Sequence, residues 1–388
     1  MHRQFPRHLA APKDRSFFLF GPRGVGKTAW TRATFPNARS FDLLDGATYA
    51  RFAGAPEALG DAIPRGERGP IVLDEIQRLP QLLNEVHRLI EDRKLRFVLT
   101  GSSARSLRRR GVNLLAGRAS TRYLHPLTAA ELGDAFSVTE AIERGGLPTA
   151  WTASDFRDYL RGYASTYLRE EVLQEGLTRN LAAFARFLEA ASFSQAGVLN
   201  VAAVGRECGV STQTAMDWFG ILDDLLIATR VPAFTRRAKR RIVAHPKFYF
   251  FDAGVYGAIR PRGVLEDAAS IRGAALETLV LAHLRAHNDG GQLGYDISYW
   301  RTSTGAEVDF VLYGPSGLIA IEVKSSSRFR DGDAVGLRHF LADYPVARAF
   351  LVHGGRSREH HAGIDAVPAA EFLATLDATL RAGRADRA

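Results

Sequence analysis

The sequence predicts an α/β chain: a first core of strands and helices, then a helical region, then a second α/β domain. Three observations support this prediction. A short apolar run at residues 17–20 leads directly into a glycine-rich loop. A second apolar run ends in two carboxylates, Asp74 and Glu75. Towards the carboxyl end, two runs of alternating apolar and polar residues flank Gly-Pro-Ser-Gly at 314–317, which indicates a β-hairpin.

The glycine-rich loop at 21–28 has the G-x-x-x-x-G-K-T spacing of a Walker A phosphate-binding loop. Its glycines let the backbone curl, so that the N–H groups point at a phosphate chain where a helix begins. We expect Lys27 to reach the β- and γ-phosphates of ATP, and the Thr28 hydroxyl to contact Mg²⁺. The predicted ATP-binding residues are Gly21, Pro22, Arg23, Gly24, Val25, Gly26, Lys27 and Thr28.

The apolar strand that ends in Asp74 and Glu75 has the Walker B arrangement. We expect Asp74 to hold Mg²⁺ through its water shell and Glu75 to polarise the attacking water. The presence of Glu75 favours ATP hydrolysis over a switch that only binds the nucleotide. A further apolar run at 95–100 leads to Ser102, which either contacts the γ-phosphate or the attacking water, or caps the next helix.

Around these motifs the chain resembles the AAA-type ATPases of bacteria and archaea that carry a DUF4143 C-terminal half. The resemblance covers nearly the whole chain and rests on short motifs: Walker A at 21–28, LDEIQ at 73–77, LTGSS at 99–103, LAGR at 115–118, GGLP at 145–148, YLRE at 167–170 and IEVK at 321–324. It implies that Arg118 acts on the γ-phosphate, in cis or from a neighbouring subunit of a homo-oligomer. The alternative for Arg118 is an ordinary surface arginine.

Composition indicates a multidomain protein of the cytoplasm. At 388 residues the chain has room for roughly two to three domains. No apolar run reaches the ~18–20 residues that span a bilayer, so no membrane contact is expected. The single cysteine, Cys208, excludes an intrachain disulfide framework and a cysteine-rich zinc site. The net charge of +9 favours a polyanionic partner.

Residues 201–219 have a helix-turn-helix pattern, with an apolar first helix, a tight turn at 208–210 and Ser211 as an N-cap. In a DNA-binding domain of this type, the polar residues 212–214 would enter the major groove at the start of the second helix. The alternative is a module that contacts another protein or another part of the same chain.

Two further runs, at 227–232 and 247–251, are predicted to be the strands of a wing. Between them lies a basic run, Arg236-Arg237 followed by Lys239-Arg240-Arg241, at or near the wing. Because basic residues beside a winged helix are typical of phosphate contacts, DNA is the predicted partner. A solvated surface run is the alternative.

The hairpin gathers charged residues on one side. Pairing about Pro315-Ser316 places Asp309 opposite Glu322, and Glu307 opposite Lys324. Alternation then gives one apolar face, expected to be the core: Val308, Phe310, Leu312, Ile319, Ile321 and Val323. Like charges directly opposed across strands are destabilising, so a divalent cation between Asp309 and Glu322 is expected.

This constellation is similar to the PD-(D/E)xK nuclease core, in which acidic residues hold Mg²⁺ and a lysine orients or activates water. The resemblance assigns Asp309, Glu322 and Glu277, on a helix predicted at 273–287, to the metal, and Lys324 to catalysis. The chain departs from the pattern, because Gly-Ala-Glu-Val-Asp at 305–309 replaces the Pro-Asp dipeptide. The alternative is a solvent-exposed hairpin face without cleavage activity.

The predicted organisation is a P-loop NTPase core of the AAA type at 1–150, a helical region with a winged helix at 151–255, a restriction-endonuclease-like α/β domain at 256–375 and a disordered tail at 376–388. Two functions follow as hypotheses. In the first, ATP turnover drives or licenses action on DNA, with or without cleavage. In the second, the chain is a nucleotide-dependent interaction switch and its nuclease-like part is an inert scaffold.

Overall fold

The computed structural model describes residues 5–102, 115–168, 170, 172, 180–236, 245–264 and 267–382. Contacts divide these residues into two compact units. The first unit comprises residues 7–125 with 224–226. The second unit comprises the other described residues, chiefly 126–223 and 227–382.

The first unit is built on a five-stranded sheet of order β2-β3-β4-β1-β5 in which all neighbouring strands run parallel. Its strands are β1 Ser16–Phe20, β2 Arg39–Asp42, β3 Pro70–Asp74, β4 Arg96–Gly101 and β5 Ala119–Tyr123. Its helices are Lys27–Thr34, Gly46–Gly54, Ala58–Asp61 and Leu82–Arg93, with 3₁₀ turns at Ile76–Arg78 and Leu115–Gly117. The three central strands are nearly continuous buried runs, as parallel strands covered on both faces require.

Strand order decides what meets at the sheet edge. Strand β4 lies between β1, which leads into the glycine-rich loop, and β3, which ends at Asp74. In open parallel sheets, ligands bind outside the carboxyl ends of the strands. The ends of β1, β3 and β4 therefore form one continuous edge.

Along the chain, the helices of the second unit lie before, between and after the strands of its two sheets. They are Ala129–Leu132, Val138–Arg144, Pro148–Thr152, Phe156–Gly162 with a π-turn at Tyr163–Tyr167, Leu181–Ser192, Val201–Cys208, Thr212–Asp224, Ala253–Ile259, Ala268–Gly291, Val335–Asp343, Ala369–Ala374 and Leu376–Arg381, with 3₁₀ turns at Gly133–Ala135 and Asp331–Ala334. Within the described residues, no helix combines the length and the apolar character needed to cross a membrane.

The smaller sheet of the second unit is antiparallel, with order β6-β8-β7. Its strands are β6 Gly197–Val198, β7 Ala228–Val231 and β8 Lys247–Phe250. The larger sheet has order β13-β14-β12-β11-β10-β9. Its strands are β9 Asp296–Arg301, β10 Glu307–Gly314, β11 Gly317–Lys324, β12 Arg348–His353, β13 Glu359–His361 and β14 Ile364–Pro368. The helices and strands expected between 201 and 251 lie at those positions.

The predicted hairpin register is confirmed where the β10–β11 ladder forms, from Phe310 opposite Ile321 to Gly314 opposite Gly317. The prediction of a single core face was wrong, because both faces of these strands are buried. Asp309 and Glu322, expected outside the core, are only 5% and 6% exposed.

A bulge also changes which side chains of β10 share a face. The pairing of β10 with β9 shifts by one residue between Val308 and Val311. An extra residue in one strand reverses the alternation of faces beyond it. Val308 accordingly packs in one apolar cluster with Val311 and Ala320, rather than following the regular alternation. The predicted α/β class, a P-loop-type parallel sheet followed by helical and further sheet regions, is confirmed.

Candidate functional site

The loop after β1 has the curled backbone that phosphate binding requires. Gly24 and Gly26 have φ values of 83° and 93°, a left-handed conformation that glycine adopts without steric cost. Gly21 is needed for a different reason, since a Cβ there would lie 2.3 Å from the carbonyl oxygen of Leu124. The helix Lys27–Thr34 begins directly after Gly26.

The side chain of Lys27 is held against this loop. Its Nζ donates to the carbonyl oxygens of Gly21 at 2.7 Å and Pro22 at 3.2 Å. Lys27 is only 7% exposed, so its ammonium is held by backbone carbonyl groups and is largely shielded from solvent. The charge lies beside the curled loop, where the phosphate chain of a nucleotide would be bound.

Thr28 and Asp74, both predicted to contact Mg²⁺, meet across the sheet edge. The Thr28 hydroxyl donates to Asp74 Oδ2 at 2.9 Å, and the Thr100 hydroxyl donates to Asp74 Oδ1. A hydroxyl beside a carboxylate supplies the hard oxygen ligands that Mg²⁺ prefers, so these residues fit the ion. Bound there with ATP, Mg²⁺ would neutralise negative charge on the phosphates.

Glu75 occupies an unusual backbone conformation next to Asp74. Its φ of 60° is left-handed, which is uncommon and strained for a residue other than glycine. The Glu75 N–H donates to the Thr100 hydroxyl at 3.3 Å. The Gln77 amide donates to both the Glu75 carboxylate and the Ser102 hydroxyl, the latter at 3.2 Å. Gln77 thus joins the two residues for which sequence motifs predicted catalytic contacts.

Sequence reasoning missed Thr100 and Gln77 as members of this site. Both signals were present: Thr100 lies near the carboxyl end of β4, and Gln77 is the last residue of the LDEIQ motif. Their importance follows from strand order, because only the insertion of β4 between β1 and β3 brings Thr100 to Asp74.

The structure does not bring Arg118 to the phosphate loop of its own chain. Arg118 directly precedes β5, whose first residue, Ala119, pairs with Ser16 at the start of β1. The phosphate loop follows the other end of β1, roughly 13 Å away along the strand. Arg118 forms an ion pair with Glu91 and lowers the pKa of that carboxyl. Action of Arg118 from a neighbouring subunit stays a prediction.

The second unit contains the predicted acidic residues, gathered around a lysine. Lys247 Nζ lies 2.9 Å from Asp309 Oδ1 and 4.0 Å from Glu277 Oε2, and it also forms an ion pair with Glu307. The Lys247 side chain is 2% exposed. We call Glu277, Glu307, Asp309 and Glu322 the acidic cluster.

The remaining polar atoms of the acidic cluster are nearly all engaged. Asp309 Oδ2 accepts from the Val323 N–H at 2.9 Å, and Glu277 Oε2 accepts from the Tyr249 hydroxyl at 3.1 Å. Glu322 Oε1 accepts from Lys324 Nζ at 2.5 Å. Glu322 Oε2 is buried and has no hydrogen-bond partner.

Burial and mutual repulsion shift the pKa values of these groups. Burial, together with the neighbouring Asp309, raises the pKa of Glu322 to about 8 and raises that of Glu277 well above its ordinary value. Burial alone would lower the pKa of Lys247, but Asp309, Glu277 and Glu307 outweigh it and raise that pKa. The cluster therefore favours a protonated, positively charged Lys247.

The acidic cluster, as arranged, does not fit the divalent metal that a nuclease core implies. Both oxygens of Asp309 are engaged, one of them by the Lys247 ammonium. Among the residues that the structure describes, no group of three or more His, Cys, Asp or Glu side chains is placed to hold a metal ion.

The residues predicted to contact DNA are described only in part. Ser211 caps the helix Thr212–Asp224 by accepting from the Thr214 N–H at 3.0 Å, and Thr212 and Gln213 are exposed beside it. Arg236 is exposed, forms an ion pair with Asp296 at 2.9 Å and lies over the ring of Tyr313. The other basic residues of the run, like those at 108–110, lie outside the described residues.

Family models match three successive parts of this chain. Residues 13–133 match an AAA domain. Residues 135–265 match a domain of unknown function, DUF8612, and residues 272–372 match another, DUF4143. The expected AAA domain in the N-terminal part and the expected DUF4143 part at the C-terminal end are confirmed. An AAA domain supports an ATPase-type enzyme that binds ATP.

Some solved structures resemble the chain weakly. The Aeropyrum pernix Orc1 protein in complex with DNA is 16% identical with a TM-score of 0.29, over 64% of this chain and 87% of that one. Protein VC1899 from Vibrio cholerae is 14% identical with a TM-score of 0.24, over 95% and 97%. A type III CRISPR defence DNA nuclease activated by cyclic oligoadenylate is 14% identical with a TM-score of 0.20, over 92% and 48%. Likeness at this level does not bear on what this chain binds. No curated protein matches the chain.

Proposed function

We propose that the first unit hydrolyses ATP, with Lys27 on the phosphates, Thr28 and Asp74 on Mg²⁺, and Glu75 as the base that polarises the attacking water. One observation supports this proposal above the others. Asp74 accepts from Thr28 of the phosphate loop and from Thr100 of β4, with Glu75 directly beside it. Nucleotide-binding and water-activating residues thus share one sheet edge.

In this proposal, Gln77 and Ser102 position Glu75. A carboxylate that serves as a base must lie within hydrogen-bond reach of the water it activates. The Gln77 amide links the Glu75 carboxylate to the Ser102 hydroxyl, so the orientation of Glu75 is coupled to the end of β4.

Nucleotide binding is tested by Lys27→Ala. Because two charge-assisted contacts to the phosphates are lost, we expect MgATP affinity to fall by at least about 100-fold. Isothermal titration of the purified chain measures this change. Lys13→Ala is the matched control, since Lys13 is exposed and precedes β1 at the strand end away from the loop. Equal affinity of the two variants would contradict the assigned role of Lys27.

We propose DNA as a partner of the second unit, contacted mainly through the basic run at 236–241. The net charge of +9 and the position of this run between β7 and β8 support this assignment. The capped helix Thr212–Asp224 is less suited to lie against phosphates, since it contains Asp217, Asp223 and Asp224 and no Lys or Arg. Its exposed start, at Thr212 and Gln213, is assigned a secondary role.

Neutralising the basic run tests this partner. Each phosphate contact contributes about 0.9 to the slope of log affinity against log salt concentration. Replacing Arg236, Arg237, Lys239, Arg240 and Arg241 with Ala should weaken DNA binding and flatten that slope. Anisotropy titrations with a labelled duplex at several salt concentrations measure both effects. The control is Arg157→Ala with Arg161→Ala, two exposed arginines elsewhere in the second unit. An unchanged slope in the five-residue variant would exclude the run.

We also propose that the second unit has a nuclease-like fold. The arrangement that supports it is the β10–β11 hairpin, with Asp309, Glu322 and Lys324 on its strands and Glu277 on the helix Ala268–Gly291. DNA cleavage is not part of the proposal, because the cluster does not fit a metal. For this part of the chain, an inert nuclease-like scaffold is therefore better supported than a cleaving nuclease, and the proposal is ATP turnover coupled to DNA without cleavage.

A further inference from the structure

Lys247 occupies the centre of the acidic cluster, where a positive charge is most needed. Carboxylates of Asp309, Glu307 and Glu277 all lie within 4.0 Å of its Nζ. Carboxylates this close, with Asp309 buried and Glu277 and Glu307 only partly exposed, would repel one another without a compensating cation. The ammonium group supplies that charge from within the chain.

The position of Lys247 is fixed by the backbone. Lys247 is the first residue of β8 and is paired on both sides, with Val198 of β6 and Val231 of β7. Alternate residues of a strand share a face. Tyr249, two residues on, donates its hydroxyl to Glu277 and packs against Phe310 with ring centroids 5.7 Å apart. One face of β8 thus contacts the acidic cluster through two side chains, Lys247 and Tyr249.

We propose that the Lys247 ammonium replaces a divalent cation in the acidic cluster. Lys247 thereby prevents metal binding, and the surrounding carboxylates form a latent metal site that becomes available when its charge is removed. Two observations support the latent site. Three carboxylates lie within 4.0 Å of the Lys247 Nζ, although with the ammonium between them they are not placed to hold a metal ion. The buried Glu322 Oε2 has no hydrogen-bond partner, although a carboxylate oxygen in such a place is normally satisfied.

Charge repulsion explains why the Lys247 ammonium and a divalent metal ion cannot occupy the acidic cluster together. A divalent ion holds its oxygen ligands at about 2.0–2.6 Å and tolerates no ammonium inside that shell. Asp309 Oδ1 cannot bind a metal while it accepts from Lys247 at 2.9 Å, and Oδ2 is engaged by the Val323 N–H. Binding of metal therefore requires Lys247 to leave. This inference does not depend on the proposed ATPase activity.

Thermal melts of the full chain with and without Mn²⁺, in the absence of nucleotide, test the proposal. The parent should show no Mn²⁺ shift that depends on Asp309. Lys247→Met, which keeps the length of the side chain but removes the charge, should gain a saturable rise in melting temperature of about 5 °C. Lys324→Met is the matched control, because it removes the other lysine beside the cluster and leaves Lys247 in place. It should gain no shift.

Asp309→Asn is made both alone and together with Lys247→Met. Any melting-temperature shift that remains in these variants comes from Mn²⁺ bound elsewhere, such as the phosphate loop, and is subtracted. A folded Lys247→Met that gains no Asp309-dependent shift would overturn the proposal. If Lys247→Met does not fold, calorimetric titration of the parent with Mn²⁺ decides. One Mn²⁺ per chain, bound by the parent and lost in Asp309→Asn, would refute closure by Lys247. No such binding supports closure.

Discussion

Glu75→Gln is expected to retain MgATP binding while ATP hydrolysis falls by about 100-fold or more, the usual scale for the loss of a general base. The amide keeps the shape of the side chain and its contact region with Gln77, but it cannot accept a proton from water. Glutamine must adopt the same left-handed φ of 60° as glutamate at this position, so the substitution adds no new backbone strain. Steady-state phosphate release and ATP titration, measured on the same preparation, check both halves of the prediction.

The matched control is Glu57→Gln, which changes an exposed glutamate of the same unit. Glu57 precedes the helix Ala58–Asp61 and makes no capping contact there, so turnover should stay at the parent value. If Glu75→Gln hydrolyses ATP as fast as Glu57→Gln, another group activates the water.

Asp252→Ala is expected to destabilise the second unit by about 3 kcal/mol at neutral pH. Asp252 is 1% exposed and accepts from the Gly146 N–H at 2.6 Å and the Val255 N–H at 2.9 Å. It thereby caps the helix Ala253–Ile259 and holds the Gly-Gly-Leu-Pro turn against it. Space is tight, since a Cβ at Gly145 would lie 2.0 Å from Asp252 Oδ1. Alanine would leave two buried donors without an acceptor.

Denaturant unfolding followed by tryptophan fluorescence measures this change, because Trp151, Trp218 and Trp300 all lie in the second unit. Asp155→Ala is the control: Asp155 caps the helix Phe156–Gly162 in the same way but is exposed. The loss of unfolding free energy in Asp155→Ala should be clearly smaller than in Asp252→Ala. Equal effects of the two variants would show that burial of Asp252 contributes nothing.

The ionisation of Asp252 gives this capping a pH dependence. Burial, opposed by the backbone N–H groups, raises the pKa of Asp252 from 3.8 to about 6. The folded state therefore keeps the proton that the unfolded state has already lost. The contribution of Asp252 to stability should fall by about 3 kcal/mol as the pH rises from about 3.8 to 6, and then level off. Asp252→Asn cannot titrate, so its stability relative to the parent should improve over this range.

Much of the first unit could be predicted from the sequence because its signals are local. The strand, loop and helix around Lys27 follow from residue spacing within a dozen positions, and Asp74 follows from a single apolar run. Strands β2 and β5 were not predicted. Their residues are largely half-buried or exposed, so they lack the continuous apolar pattern of central parallel strands.

The second unit shows where sequence reasoning stops. The hairpin register followed from the turn at Pro315-Ser316, but a bulge beside Val308 changed which side chains share a face. The sequence pattern indicated that Asp309 and Glu322 need a cation. It could not indicate that Lys247, 62 positions before Asp309, supplies the charge, because that contact depends on how two sheets pack. Long-range contacts of this kind have no local periodicity to reveal them.

The central claim, that the first unit turns over ATP, is tested most directly by phosphate release from the purified 388-residue chain with MgATP. The account predicts release that stops when EDTA removes Mg²⁺, when Lys27 is replaced by Ala and, to about 1% or less, when Glu75 is replaced by Gln. A folded parent that binds MgATP but releases no phosphate above background would contradict it. In that case the Walker residues would form a binding switch without hydrolysis.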